Sequence, residues 1–127
     1  MTAIALVLAG LSAALHVFIW TMESITWRQP GTWRRFGLRT QDEADTTAPL
    51  AYNQGYYNLF LAIIAAVGIV LVIADQNAAG WALVLASCGS MLAASVVLRS
   101  GGAVYTQAAL TQGAVPLLAV VAAAIAA

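Results

Sequence analysis

The chain of 127 residues contains no lysine, a single histidine, a single cysteine, and only five basic and five acidic residues. All the basic residues are arginine. Charged residues make up 8% of the chain, where a soluble domain carries roughly 25%. That scarcity excludes an ordinary water-facing surface. A formal net charge of zero and the lack of any Lys/Arg run give no electrostatic footprint for nucleic acid. The lone Cys88 has no internal disulfide partner, so cysteine usage says nothing about the redox compartment. What is abundant is apolar: 62% of residues are hydrophobic and the mean hydropathy is +0.87. This is the composition of an integral membrane protein.

Four apolar runs stand out, at about 3–27, 50–74, 81–98 and 104–126. Each is long enough for a span, which takes about 17–25 residues. The expected fold is all-α, a four-helix transmembrane bundle forming one domain over residues 1–127. Residues 1–27 lack a basic leading region, and their apolar run exceeds a secretory h-region, so they read as a retained first span. Residues 28–49 form the only long loop, with Pro30 and Gly31 ending the first helix and Pro49 suiting the first turn of the second. Arg28, Arg34, Arg35 and Arg39 lie in this loop and Arg99 lies on the same side, while the turn between spans two and three has no basic residue. The positive-inside rule then makes the loop cytoplasmic and puts both termini outside, in the inner membrane of the cell. Small-residue ladders, Ala5/Ala9/Ala13 and Ala82/Ala86/Ser90/Ala94, mark faces where helices can approach closely.

The polar residues inside these runs are few. At about 100° per residue, Ser12, His16, Trp20, Glu23 and Trp27 fall on one stripe of the first helix. A rise of 1.5 Å per residue puts Glu23 about 6 Å inside the membrane boundary and His16 about 16 Å inside. Span two enters from the same side with Asn53, Gln54, Tyr57 and Asn58, and span four with Gln107 and Gln112. Pro116 deprives the Gln112 carbonyl of its helical N–H partner. Polar groups in hydrocarbon need partners. Gathering them in one cavity open to the loop side satisfies them together. The candidate ligand-binding residues are therefore His16, Trp20, Glu23, Asn53, Gln54, Tyr57, Asn58, Arg99 and Gln112. Arg99 and Arg28 are the candidate countercharges for Glu23. His16 and Glu23 lie about 10.5 Å apart along the axis, too far for a direct ion pair. The same spacing argues against a metal, since helical chelation favours ligands three or four residues apart. No cofactor is expected.

Several stretches carry a family resemblance: LHVFIWTMESITW (15–27), RRFGL (34–38), LAYNQGYYNLFLA (50–62) and QGAVPLLA (112–119). The sequence resembles the domain of unknown function 1304 family of small integral membrane proteins. The resemblance implies four spans and places the family's polar positions at His16, Glu23, Asn53, Gln54, Gly55, Tyr57, Asn58, Gln112 and Pro116. Leu15 stands where family members often carry an acidic residue, so no acid–histidine dyad is implied.

These readings give an expected function in the membrane, with lipids as partners and homo-oligomers left open. The first is a protein that binds or carries a small amphipathic or lipid-like ligand. The second is a membrane enzyme, isomerase-like, in which His16 and Glu23 serve as catalytic acid and base. A proton-coupled exporter ranks below both, because Glu23 lies nearer the membrane edge than a midplane coupling site.

Overall fold

The structure, a computed structural model, describes all residues 1–127. Four helices are long and apolar enough to cross a membrane, and no strand forms. Helix α1 (Thr2–Trp20) continues into one π turn, Thr21–Ile25. A short α2 (Pro30–Trp33) and a 3-10 turn (Arg34–Phe36) lead to α3 (Gln41–Ile73). Then come α4 (Asn77–Ser100), a 3-10 turn (Ala103–Tyr105) and α5 (Thr106–Ala126). Consecutive long helices run antiparallel. Helices α1 and α4 each pack against both α3 and α5, so the four long helices form a ring in the order α1, α3, α4, α5. The α1–α3 edge and the α4–α5 edge lie on opposite sides of that ring.

Helix α3 begins well before the expected residue 50. Thr40 is its N-cap and accepts a hydrogen bond from the Glu43 backbone N–H at 3.2 Å, while the Glu43 carboxylate accepts from the Arg39 N–H at 2.7 Å. This reciprocal arrangement is close to a capping box, and its Thr-x-x-Glu signature is legible in the sequence. Pro49 is therefore an interior residue, not a first-turn one. The helix tolerates it because only the Asp45 carbonyl loses a backbone partner there. At 1.5 Å per residue α3 is about 50 Å long, against a hydrocarbon core of about 30 Å. The acidic turns around Asp42, Glu43 and Asp45 extend beyond the span.

The connection between α1 and α3 is clamped onto this extension. Trp27 donates its indole N–H to the Ala44 carbonyl at 3.0 Å. Trp33 is buried and donates to the Gln41 side-chain oxygen at 3.2 Å, and Gln41 in turn donates to the Arg28 carbonyl at 3.0 Å. Trp27 thus leaves the expected stripe, because the helix ends at Ile25 and Thr26 departs from helical backbone.

The apolar core fills the end of the bundle away from this connection. Ala5 and Ala9 of α1, Ala65 and Val72 of α3, Trp81, Val84, Cys88 and Met91 of α4, and Ala119 and Ala123 of α5 pack together there. Gly68 and Gly80 let α3 and α4 touch backbone to backbone: a Cβ on Gly68 would stand 2.9 Å from the Gly80 carbonyl oxygen. The Ala5/Ala9 ladder is a packing face, with Ala13 at its margin. The Ala82/Ala86/Ser90/Ala94 ladder is not, since Ala82, Ala86, Ser90 and Ala94 are exposed and α4 buries Trp81, Val84, Ser87, Cys88, Met91 and Ser95 instead. Bulk won over smallness there, because between helices in hydrocarbon the gain is van der Waals packing, and Trp81 and Met91 make more such contacts than alanines can.

Candidate functional site

The face that α1 turns inward carries Ser12 and His16, both fully buried. His16 Nδ1 lies 2.8 Å from the Ser12 carbonyl oxygen. A carbonyl only accepts, so Nδ1 carries the hydrogen and donates. In the neutral ring this leaves Nε2 as a bare acceptor, and Nε2 has no protein partner. One turn later the Trp20 ring meets Tyr56 of α3 edge to face, with centroids 6.0 Å apart. The Trp20 indole N–H is also sealed from solvent without a protein partner. An acceptor and a donor thus lie unpaired one helical turn apart.

The next turn is where α1 widens. The Thr26 N–H reaches the Thr21 carbonyl at 3.0 Å, the i to i+5 bond of a π turn. Single π turns inside α-helices are frequent at functional sites. The widened turn carries Glu23 and Ser24 against α3. Asn58 donates from Nδ2 to a Glu23 carboxylate oxygen at 2.7 Å, and the same Nδ2 lies 3.2 Å from the Gln54 carbonyl. Ser24 donates to the Tyr52 carbonyl at 2.9 Å. Gly55 makes this contact sterically feasible. A Cβ there would collide with the Ser24 hydroxyl and stand 3.1 Å from the Glu23 Cβ. Outside this contact, Glu23, Ser24, Trp27 and Arg28 face Ala48, Pro49 and Tyr52 across a cleft of about 370 Å³. The one ion pair of the chain, Arg28 with Asp45 at 3.7 Å, lies on the exposed loop surface and contributes little. No three His, Cys, Asp or Glu side chains converge to hold a metal.

Of the expected site residues, Trp20, Glu23 and Asn58 come together along the α1–α3 seam, and His16 lies one turn deeper on the buried stripe of α1. Asn53, Gln54 and Tyr57 do not join them, because their side chains are exposed on other faces of α3. The inward face is set by Gly55, and Tyr57, two residues on, points away, so Tyr56 is the tyrosine that meets Trp20. Gln112 is half-buried, without a side-chain hydrogen bond of its own, and Pro116 is buried in α5. Arg99 is on the opposite side of the ring, between α4 and α5, so it is not the countercharge of Glu23. The carboxylate's partner is instead a neutral donor, the Asn58 amide. Tyr56 and Ser24 complete the seam, and neither is among the expected site residues. The signal for them is the stripe of small residues in α3, Ala48, Ala51, Gly55, Ala62 and Ala65, which marks the face that neighbouring helices approach.

Fold and seam together define a multi-pass helical membrane protein with a few polar side chains held inside its bundle. The chain belongs to the family described as "Protein of unknown function (DUF1304)", whose profile matches residues 10–124. Comparisons with curated proteins and with solved structures gave no match.

Proposed function

We propose that the protein binds a small amphipathic, lipid-like molecule carrying a hydroxyl group, at the loop end of the α1–α3 seam. The observation that carries this reading is the pair of unpaired buried atoms, His16 Nε2 and Trp20 Nε1. A buried polar atom without a partner costs about 1–3 kcal/mol. A hydroxyl both accepts and donates, so it suits the Trp20 N–H as an acceptor and His16 Nε2 as a donor. The cleft beside Glu23 and Tyr52 lies one turn further along α1, towards the loop. The loop faces the cytoplasm in this reading and both termini lie outside, because Arg28, Arg34, Arg35, Arg39 and Arg99 share one end and Asp75 is the only charged side chain at the other.

Mass spectrometry of molecules extracted from purified protein tests the proposal. Trp20→Phe keeps an aromatic ring against Tyr56 but deletes the N–H, and His16→Leu deletes the acceptor. Each is expected to lower the retained hydroxyl-bearing amphiphile about tenfold. Equal retention by wild type and both variants overturns the reading.

The same bare Nε2 supports a second reading, an enzyme in which His16 accepts a proton from a lipid or isoprenoid substrate and Glu23 acts at the cleft. Chemical conversion of the retained molecule by wild type, lost in His16→Gln, would favour it over simple binding.

A further inference from the structure

The opposite side of the ring holds a second cleft. It runs between α4 and α5, has a volume of about 360 Å³, and is lined by Leu92 and Ser95 on one side and by Ala109, Gly113, Ala114 and Leu117 on the other. For scale, a dry cavity of about 150 Å³ admits a benzene ring. The small side chains of α5 form the floor, and the cleft follows α5 from Thr106 to Leu117, about 16 Å.

The hydrogen-bonding state of its walls says what fits. The Ser95 hydroxyl donates to the Leu92 carbonyl at 2.7 Å, and the Thr106 hydroxyl donates to the Ala103 carbonyl at 2.7 Å. Both donors are already used by backbone carbonyls three residues earlier in the chain. Deeper than Arg99 the cleft therefore asks nothing polar of an occupant. Arg99, in the last turn of α4, sits at the loop end of the cleft and makes neither an ion pair nor a side-chain hydrogen bond. The acidic side chains that have partners find them elsewhere: Asp45 with Arg28 and Gln41, Glu23 with Asn58, and Glu43 with the Arg39 N–H. Arg99 presents five N–H donors in a planar fork suited to carboxylate or phosphate oxygens.

We infer that the α4–α5 cleft is a binding site for an anionic lipid, with one acyl chain lying over Ala109, Gly113 and Ala114 and its acidic head group on Arg99. An uncharged chain satisfies the walls, and an anion satisfies the guanidinium. This site is separate from the α1–α3 seam and does not depend on what the seam binds.

Native mass spectrometry of the full chain in a non-ionic detergent reads the affinity for two probes, lysophosphatidylglycerol and lysophosphatidylcholine with the same acyl chain. They differ only in head-group charge. One copy of the anionic probe is expected to bind about tenfold more tightly than the zwitterionic one, as a charge-assisted contact implies. Arg99→Gln removes that preference, whereas Arg34→Gln, at the same end of the bundle, keeps it. Ala114→Trp fills the floor and weakens both probes about tenfold. Leu110→Trp, at another lipid-exposed position on the rim, provides the same test should Ala114→Trp misfold. Inorganic phosphate at millimolar concentration does not displace the lipid. Equal binding of the two probes overturns the inference. So does a preference that survives Arg99→Gln, binding untouched by both tryptophans, or displacement by free phosphate.

Discussion

Asn58 of α3 donates a hydrogen bond of 2.7 Å to the carboxylate of Glu23 in the π turn that ends α1. It joins the two helices beside the Ser24 hydrogen bond to the Tyr52 carbonyl, the other side-chain contact of the π turn with α3. It also occupies the carboxylate that would otherwise face the cleft unpartnered.

Removing it is expected to be measurable but modest. Interhelical hydrogen bonds in membranes average about 0.6 kcal/mol, with a maximum near 1.7. A double-mutant cycle of Glu23→Ala and Asn58→Ala, followed by unfolding in mixed detergent, should give a coupling in that range. Strict additivity would show that the contact is incidental.

Gly55→Ala should cost more, about 1–3 kcal/mol, because the new methyl collides with Ser24 against a helix that is already in contact. Ser24→Gly in the same chain is expected to recover part of the loss. Gly89→Ala is the control: nothing lies within 4 Å of a Cβ there, so it should stabilise α4 by about 0.5–1 kcal/mol. The same unfolding measurement checks all three.

Asp75 ends α3 with left-handed backbone, φ 60°, and is the only non-glycine residue to adopt positive φ. The Gln76 N–H bonds the Leu71 carbonyl at 2.8 Å and the Asp75 N–H bonds the Val72 carbonyl at 3.1 Å, the paired bonds of a Schellman motif. Asp75→Val is expected to destabilise by about 1–2 kcal/mol, since a β-branched residue strains there. Asp75→Gly should be neutral or slightly stabilising. Thermal unfolding of the two variants decides it.

Orientation is open to cysteine labelling, because the one native thiol, Cys88, is fully buried in the core. Gln76→Cys and Thr46→Cys place exposed thiols at opposite ends of the bundle. In intact cells a membrane-impermeant maleimide should label Gln76→Cys and leave Thr46→Cys unlabelled until the cells are broken. The reverse pattern would invert the proposed topology.

Much of the seam is readable along α1 alone. Ser12 and His16 face inward and Trp20 and Glu23 follow on the same side, because helical periodicity fixes the relative angles of residues on one helix whatever surrounds it. The register holds as far as the π turn, and Trp27 is lost from the stripe where the helix stops. The length of α3 is legible too, in Thr40 and Glu43, although the proline at 49 draws attention away from that capping signal. Choosing among the polar residues of α3 is harder. Asn53, Gln54, Tyr57 and Asn58 share one arc of about 140° on the helix, and only contact with α1 selects Asn58, at the edge of that arc nearest Gly55.

By itself, then, the sequence determined four apolar helices, their antiparallel succession, the polar stripe within α1 and the gathering of arginines at one end. The reason is that hydrocarbon forces every backbone group into a helix and makes each polar residue conspicuous. Only the tertiary structure decided that Glu23 answers to Asn58 and not to Arg99, that Tyr56 and not Tyr57 meets Trp20, and that Arg99 heads a cleft on the far side of the ring. Those outcomes depend on which helix lies beside which and on the rotation of each. Both are set by close contacts such as Gly55 against Ser24, which no single helix carries within its own periodicity.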